Sequence, residues 1–202
     1  MISAAITITC AYLLGCFNTG YYLVRMMTGQ DIRTLASGGS GSRNVGRLLG
    51  TKGFVLTLIG DAGKGMAAIW LGRYLALEPW QLFVVLLAVT AGHIWPAQLG
   101  FRGGKGFATL AGGLALLAPT LLLSGFLLSV VFLLVLRRTT KSGLLALACS
   151  PVIMAIEQSR HGRPWLSPEL LIYCLLVVTV LYAHRSNIRK DFFSFDINAP
   201  KE

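Results

Sequence analysis

Apolar residues fill this chain in long runs, and polar residues gather in the short stretches between them. The runs cover residues 2–24, 53–77, 80–99, 107–136, 142–156 and 168–183. A bilayer's hydrocarbon core is about 30 Å thick and takes roughly 20 apolar residues of helix to cross, so these runs predict membrane helices. Run 107–136 is too long for one: a helix of about 30 residues would measure ~45 Å. Pro119 lies inside it and lacks the N–H that a helix interior needs, which divides it into spans 107–118 and 120–136. The expected fold is an all-α, polytopic bundle of about seven transmembrane helices, one integral membrane domain over residues 1–202.

Composition agrees with that pattern. Of the 202 residues, 54% are hydrophobic and 13% charged, against about 25% charged in soluble domains. Mean hydropathy is +0.67. The formal net charge of +10 would suggest nucleic acid in a soluble protein. Here the charges sit between apolar runs and no nucleic-acid motif occurs, so the positive-inside rule is the better reading. With seven spans, one side holds Arg25, Arg33, Arg43, Arg47, Lys52, Arg102, Lys105, Arg137, Arg138, Lys141, Arg185, Arg189, Lys190 and Lys201. The other holds Arg73, Arg160 and Arg163. The N-terminus is therefore expected outside and the C-terminus in the cytoplasm. The first run has no basic region before it and no clear cleavage site, and reads as a retained span. Cys10, Cys16, Cys149 and Cys174 lie in apolar runs without paired spacing, so neither a zinc site nor a disulfide framework is read.

Four polar clusters carry candidate chemistry. The first, residues 31–50, combines glycines and small hydroxyls with Arg43 and Arg47. Such a loop can fold its N–H groups into an anion-binding nest, and arginine's planar fork suits phosphate oxygens. Arg43 and Arg47 share a face if the segment is helical; a flexible loop with snorkelling arginines is the competing reading. The second is Gly60-Asp-Ala-Gly-Lys-Gly65, inside a span. Charges there are costly and need partners, and Asp61 and Lys64 are spaced to pair along a helix or to face a polar site. It is not a nucleotide P-loop, because the spacing to Gly-Lys-[Ser/Thr] is missing. The third runs from Gly92 and His93 to Gly103-Gly-Lys-Gly106 and Thr109. It sets Lys105 among glycines at the start of a span, where backbone donors favour anions. His93 is either a base or a satisfied structural histidine. The last is His184-Arg-Ser-Asn187-Ile-Arg189, where His184 and Asn187 can face one way.

In order over most of the chain, these clusters resemble the motifs of the PlsY family, the bacterial membrane acyl-phosphate:glycerol-3-phosphate acyltransferases. The first motif aligns without gaps from Asp31 to Arg47, the second over Gly60–Gly65 and the third over Gly92–Thr109; the tail is similar to His-x-x-Asn-Ile-x-Arg with Lys190 in the basic place. The first motif departs from the family pattern at Ala36, Gly39, Ser42 and Arg43. The resemblance implies transfer of an acyl group from acyl phosphate to the 1-hydroxyl of glycerol 3-phosphate, giving lysophosphatidic acid and phosphate, without cofactor or metal. It implies a catalytic set of Ser37, Arg47, Lys105, His93, His184 and Asn187. Phosphate would be held by Ser37, Gly38, Gly41, Arg43, Asn44, Arg47, Gly103, Gly104, Lys105 and Gly106, with Asp61 and Lys64 in support. Membrane lipids are the remaining partner, and the expected location is the bacterial inner membrane with the site facing the cytoplasm. Other classes fit less well. The His-x(4)-Asp acyltransferase pattern fails at Gln98 and Arg189, and no Gly-x-Ser-x-Gly elbow occurs. A transporter or flippase of anionic metabolites draws support only from Asp61 and Lys64, and no internal repeat is present. A divergent paralogue with another acceptor, or one that binds lipid phosphate to regulate a partner, is the remaining alternative.

Overall fold

The structure is a computed structural model that describes residues 2–193, apart from the side chains of Lys190 and Phe193; Lys201 lies outside the described residues. It is all-helical there, without strands. The helices are α1 Ile2–Cys16, α2 Thr19–Thr28, α3 Ser42–Tyr74, α4 Pro79–Ile94, α5 Phe107–Leu117, α6 Pro119–Leu136, α7 Thr139–Arg160, α8 Pro168–Ala183 and the short α9 Arg185–Ile188.

Five helical segments are long and apolar enough to cross a membrane: Ile2–Thr28, Ser42–Tyr74, Pro79–Leu99, Pro119–Leu136 and Thr139–Arg160. The apolar helices Phe107–Leu117 and Pro168–Ala183 are shorter. The division at Pro119 is observed, with the proline at the first position of α6, where its missing N–H costs nothing. It leaves α5 with 11 residues, roughly 16 Å of helix, about half the hydrocarbon core. Its neighbours must cover the rest of the distance.

Two breaks were not apparent in the apolar pattern. The first span is interrupted between α1 and α2, at Phe17 and Asn18. The carbonyls this frees lie in the bundle interior and are satisfied by distant side chains. Lys64 Nζ donates to Gly15 O (3.1 Å) and Phe17 O (2.7 Å), and Gln98 Nε2 to Cys16 O (2.6 Å). A backbone carbonyl left unpaired in a buried setting costs about as much as a lost hydrogen bond. The second break is in α3, where Gly50 takes φ 68° and kinks the helix. The segment before it is helical from Ser42, so the expected loop 25–52 holds about two turns of helix carrying Arg43 and Arg47.

Glycines let the helices cross closely. A Cβ on Gly92 would lie 2.1 Å from Tyr12 O, and one on Gly112 would lie 2.0 Å from Ala62 O. Small residues at such crossings let backbones touch, the usual way membrane helices associate. Helix α4 runs through the centre; Val85, Leu86 and Val89 on it pack with Ile69, Leu176 and Val180. Helix α6 buries almost nothing: only 6% of its apolar window is covered, as expected of a helix facing lipid.

Candidate active site

The polar connections at one end of the bundle are tied to one another by side chains. Arg33 grips Asp31 through a bidentate pair (2.6 Å for the shortest contact) and donates through NH1 to Leu99 O (2.5 Å). The first and third clusters are thereby joined. The Arg33 guanidinium holds the Asp31 carboxyl below the usual carboxylate range and lies 5.1 Å over the Tyr21 ring. Arg43 reaches the other way, donating to Thr139 Oγ1 (2.5 Å) and Thr140 Oγ1 (2.6 Å) at the start of α7. Lys105 Nζ donates to Asn187 Oδ1 (2.6 Å) in α9. The segments before α3, before α5, before α7 and after α8 thus converge.

Asn44 shapes the first loop from within. It is buried; its Oδ1 accepts from Ser37 N (3.2 Å), and its Nδ2 donates to Leu35 O (3.1 Å) and Gly39 O (2.9 Å). Its amide thus braces the loop backbone that was expected to hold phosphate. The Gly38 N–H donates to Leu35 O, and Gly38 takes φ 70°, a conformation that favours glycine. Gly41 caps α3, its carbonyl accepting from Asn44 and Val45. Ser37 is exposed on this loop. Arg43 and Arg47 line an open groove of about 610 Å³ with Thr51, Phe54, Thr139 and Thr140.

The glycines before Lys105 bond backward onto the end of α4. Gly103 N–H donates to Ile94 O (3.0 Å) and Gly104 N–H to His93 O (3.1 Å), so neither is presented to an anion. Glycine is needed for close approach. A Cβ on Gly103 would lie 2.1 Å from His93 O, and one on Gly104 would lie 2.0 Å from His93 Nε2. Gly106 takes φ 82° and starts α5. Lys105 itself is what this loop extends toward the cluster.

The two histidines occupy different settings. His93 is 3% exposed, with Nδ1 2.7 Å from Lys64 Nζ and 3.5 Å from Asp61 Oδ1. Lys64 and Asp61 are 3.0 Å apart and equally buried. His93 Nδ1 faces the Asp61–Lys64 pair and Nε2 faces the backbone of Gly104, so the ring is packed on both sides. His184 stands just past α8, its Nδ1 2.8 Å from Val180 O. That nitrogen must donate, so Nε2 is the acceptor of the neutral ring. Burial pushes His184 below the ordinary histidine range, and the positive charges of Lys105 and Arg43 add to the effect. Its ring meets Phe107 edge-on at 6.2 Å.

A family model described as glycerol-3-phosphate acyltransferase matches residues 5–192, which include every residue of this cluster. The chain belongs to the glycerol-3-phosphate acyltransferase family. Glycerol-3-phosphate acyltransferase 1 of Desulfitobacterium hafniense (strain Y51) is 43% identical over 89% of this chain and 86% of its own length. The glycerol-3-phosphate acyltransferase of Clostridioides difficile (strain 630) is 33% identical, over 89% and 87% respectively. The fold is similar to the crystal structure of PlsY, an integral membrane glycerol 3-phosphate acyltransferase, in its glycerol 3-phosphate form. The TM-score is 0.82 at 28% identity, covering 93% of this chain and 91% of that one. The lysophosphatidic acid form gives 0.77. The chain is thus an integral membrane acyltransferase by family and by fold.

Residues that sequence reasoning passed over complete this family member's site. Asn18 is wholly buried. Its Oδ1 accepts from Ser40 Oγ (2.6 Å), and its Nδ2 reaches Cys16 O and His93 O (3.3 Å each). It joins the first loop to the end of α4. Arg33 does the same from the solvent side. An asparagine inside an apolar run was the available signal for Asn18.

Proposed function

We propose that this protein transfers an acyl group from acyl phosphate to the 1-hydroxyl of glycerol 3-phosphate, with the site on the cytoplasmic face of a bacterial inner membrane. The observation that carries this reading is the convergence of Arg43, Arg47 and Lys105 with His184 and Asn187 at one end of the bundle. Both substrates bear phosphate, and three cations around one polar surface suit two such groups at once. Lys105, held by Asn187, and Arg47 with Ser37 clamp the phosphates. The acceptor's hydroxyl oxygen attacks the donor's carbonyl carbon, the bond from that carbon to the phosphate oxygen breaks, and inorganic phosphate leaves. The hydroxyl proton ends on the departing phosphate, with His184 Nε2 as the relay beside Lys105. Fixed cations facing the developing charge do not reorganise during reaction, which makes them effective at stabilising it. Holding both reactants together supplies much of the remaining rate. Phosphate is a good leaving group, so the route needs no acyl-enzyme.

Asp61 and Lys64, the features that favoured transport, neutralise each other inside the bundle and support α1 and His93; they leave that reading without an argument. The orientation is proposed from the basic loops, which short cytoplasmic loops favour. Phosphate release from palmitoyl phosphate by the purified protein tests the proposal. Release is expected only with glycerol 3-phosphate present; equal release without an acceptor would make the protein a hydrolase.

A further inference from the structure

The end of the bundle away from the catalytic cluster is where α3 and α7 finish and where α4 and α8 begin. Arg160 and Arg163 stand there, in the turn from α7 to α8. Basic residues of membrane proteins concentrate in the loops on one side, here the side of the cluster, so a pair of arginines at the opposite end needs a reason. Both are exposed, and neither forms an ion pair among the described residues. The acids nearest in sequence are engaged elsewhere. Glu157 Oε1 accepts from Thr120 Oγ1 (2.5 Å), and Glu169 is in the first turn of α8, where a carboxylate suits the helix dipole. The turn itself is firmly built. Gln158 O accepts from the N–H groups of His161 (3.1 Å) and Arg163 (3.0 Å). Gln158 Oε1 accepts from the buried Ser167 Oγ (3.0 Å), which in turn caps α8 by accepting from Leu170 N (3.1 Å). On this fixed backbone Trp165 is 66% and Leu166 77% exposed. Two unpaired cations thus share one short turn with two large apolar side chains that face outward.

The same end exposes Trp70 and Tyr74 in the last turns of α3 and Trp80 in the first turn of α4; Trp70 and Tyr74 stack at 5.7 Å. Tryptophan and tyrosine gather where acyl chains give way to headgroups. This belt marks the headgroup level, and Trp165, two residues from Arg163, belongs to it. We propose that the turn over residues 160–166 binds the headgroup of an anionic phospholipid in the leaflet opposite the catalytic cluster. Arg160 and Arg163 pair with its phosphate, which the guanidinium fork suits. Trp165 and Leu166 pack on its glycerol and first acyl carbons. The belt favours a lipid over a water-soluble partner, because it sets the turn at the bilayer boundary. A lipid with net negative charge is favoured over a zwitterionic one, whose ammonium group offsets the phosphate. The site is separate from the catalytic cluster and does not depend on the acyl-transfer reading.

The test measures fluorescence of the full protein in phosphatidylcholine nanodiscs that contain graded amounts of brominated phosphatidylglycerol or brominated phosphatidylcholine as quencher. The emission of Trp165 is the difference between the unsubstituted protein and Trp165→Phe. Brominated phosphatidylglycerol is expected to quench it with the higher apparent affinity, by about fivefold for each arginine, the attraction of one cation to an anionic lipid surface. In Arg160→Gln/Arg163→Gln the two lipids should quench equally. Thermal unfolding and acyl transfer of that variant should stay unchanged, since both side chains are exposed and lie far from the cluster. A preference for phosphatidylglycerol that persists in the double variant, or no preference in the unsubstituted protein, would overturn the proposal. Quenching by neither lipid would overturn it as well and would point to a water-soluble partner on the turn.

Discussion

Single side chains decide how the catalytic loops are held. Asn18 contacts Ser40 of the first loop and the His93 carbonyl at the end of α4, yet lies wholly inside the protein. It is a positioning residue, and Asn18→Ala should separate its effects. Stability should fall by about 1–3 kcal/mol, the cost of leaving buried partners unsatisfied, as read by thermal unfolding in detergent. KM for glycerol 3-phosphate should rise more than kcat falls, and Asn18→Ser should restore part of it; a purely structural role would leave KM unchanged in the folded fraction. His184 makes a pH prediction. Its folded-state value is lowered by burial, so the neutral ring persists to a pH below the ordinary histidine value of about 6.5. The sign follows: the contribution of the neutral ring is present above the unfolded value and is lost as pH falls below it. The acid limb of kcat should therefore lie below about pH 6.5 and disappear from the residual activity of His184→Gln. A limb above that value would contradict the assignment.

Among the helices, the glycine crossings carry the packing. Gly65 on α3 faces α5 so closely that a Cβ would lie 2.1 Å from Thr109 O, whereas at Gly63, two residues away, a Cβ meets nothing within 4 Å. Gly65→Ala should destabilise the protein by about 1–3 kcal/mol through overpacking. Gly63→Ala should be neutral or slightly stabilising, since alanine is the better helix former. Thermal unfolding of the two variants side by side checks this, and equal effects would mean that α3 and α5 do not pack as described. The helices also show what the sequence made legible. Pro119 announced its own helix start, because a missing N–H is a local property. The break at Asn18 did not show, because what stabilises it is Lys64, on another helix and far along the chain. Gly50 hid its kink in a segment already read as loop.

At the scale of the whole molecule, the charge pattern and the motif order pointed to the polar connections that the structure brings together, because cations in short connections between apolar runs have few other places to go. What they missed was the division of labour among those connections. Glycines that read as a phosphate cradle, Gly103 and Gly104, are there so that the loop can lie against His93. His93, which read as either a base or a structural histidine, is in contact with Lys64 and Asp61. Arg43, the most conspicuous departure from the family pattern, joins the first loop to α7 while lining the groove with Arg47. These roles depend on long-range contacts that spacing along a chain does not encode. The proposed activity is acyl transfer to glycerol 3-phosphate at the cations gathered at one end of this membrane bundle. The direct measurement is product analysis after incubating the purified protein with palmitoyl phosphate and glycerol 3-phosphate. Lysophosphatidate should form in equal amount with phosphate, and Lys105→Ala should lower its rate by about 10²-fold or more while remaining folded. Absence of lysophosphatidate at any enzyme concentration, or full activity in Lys105→Ala, would contradict it.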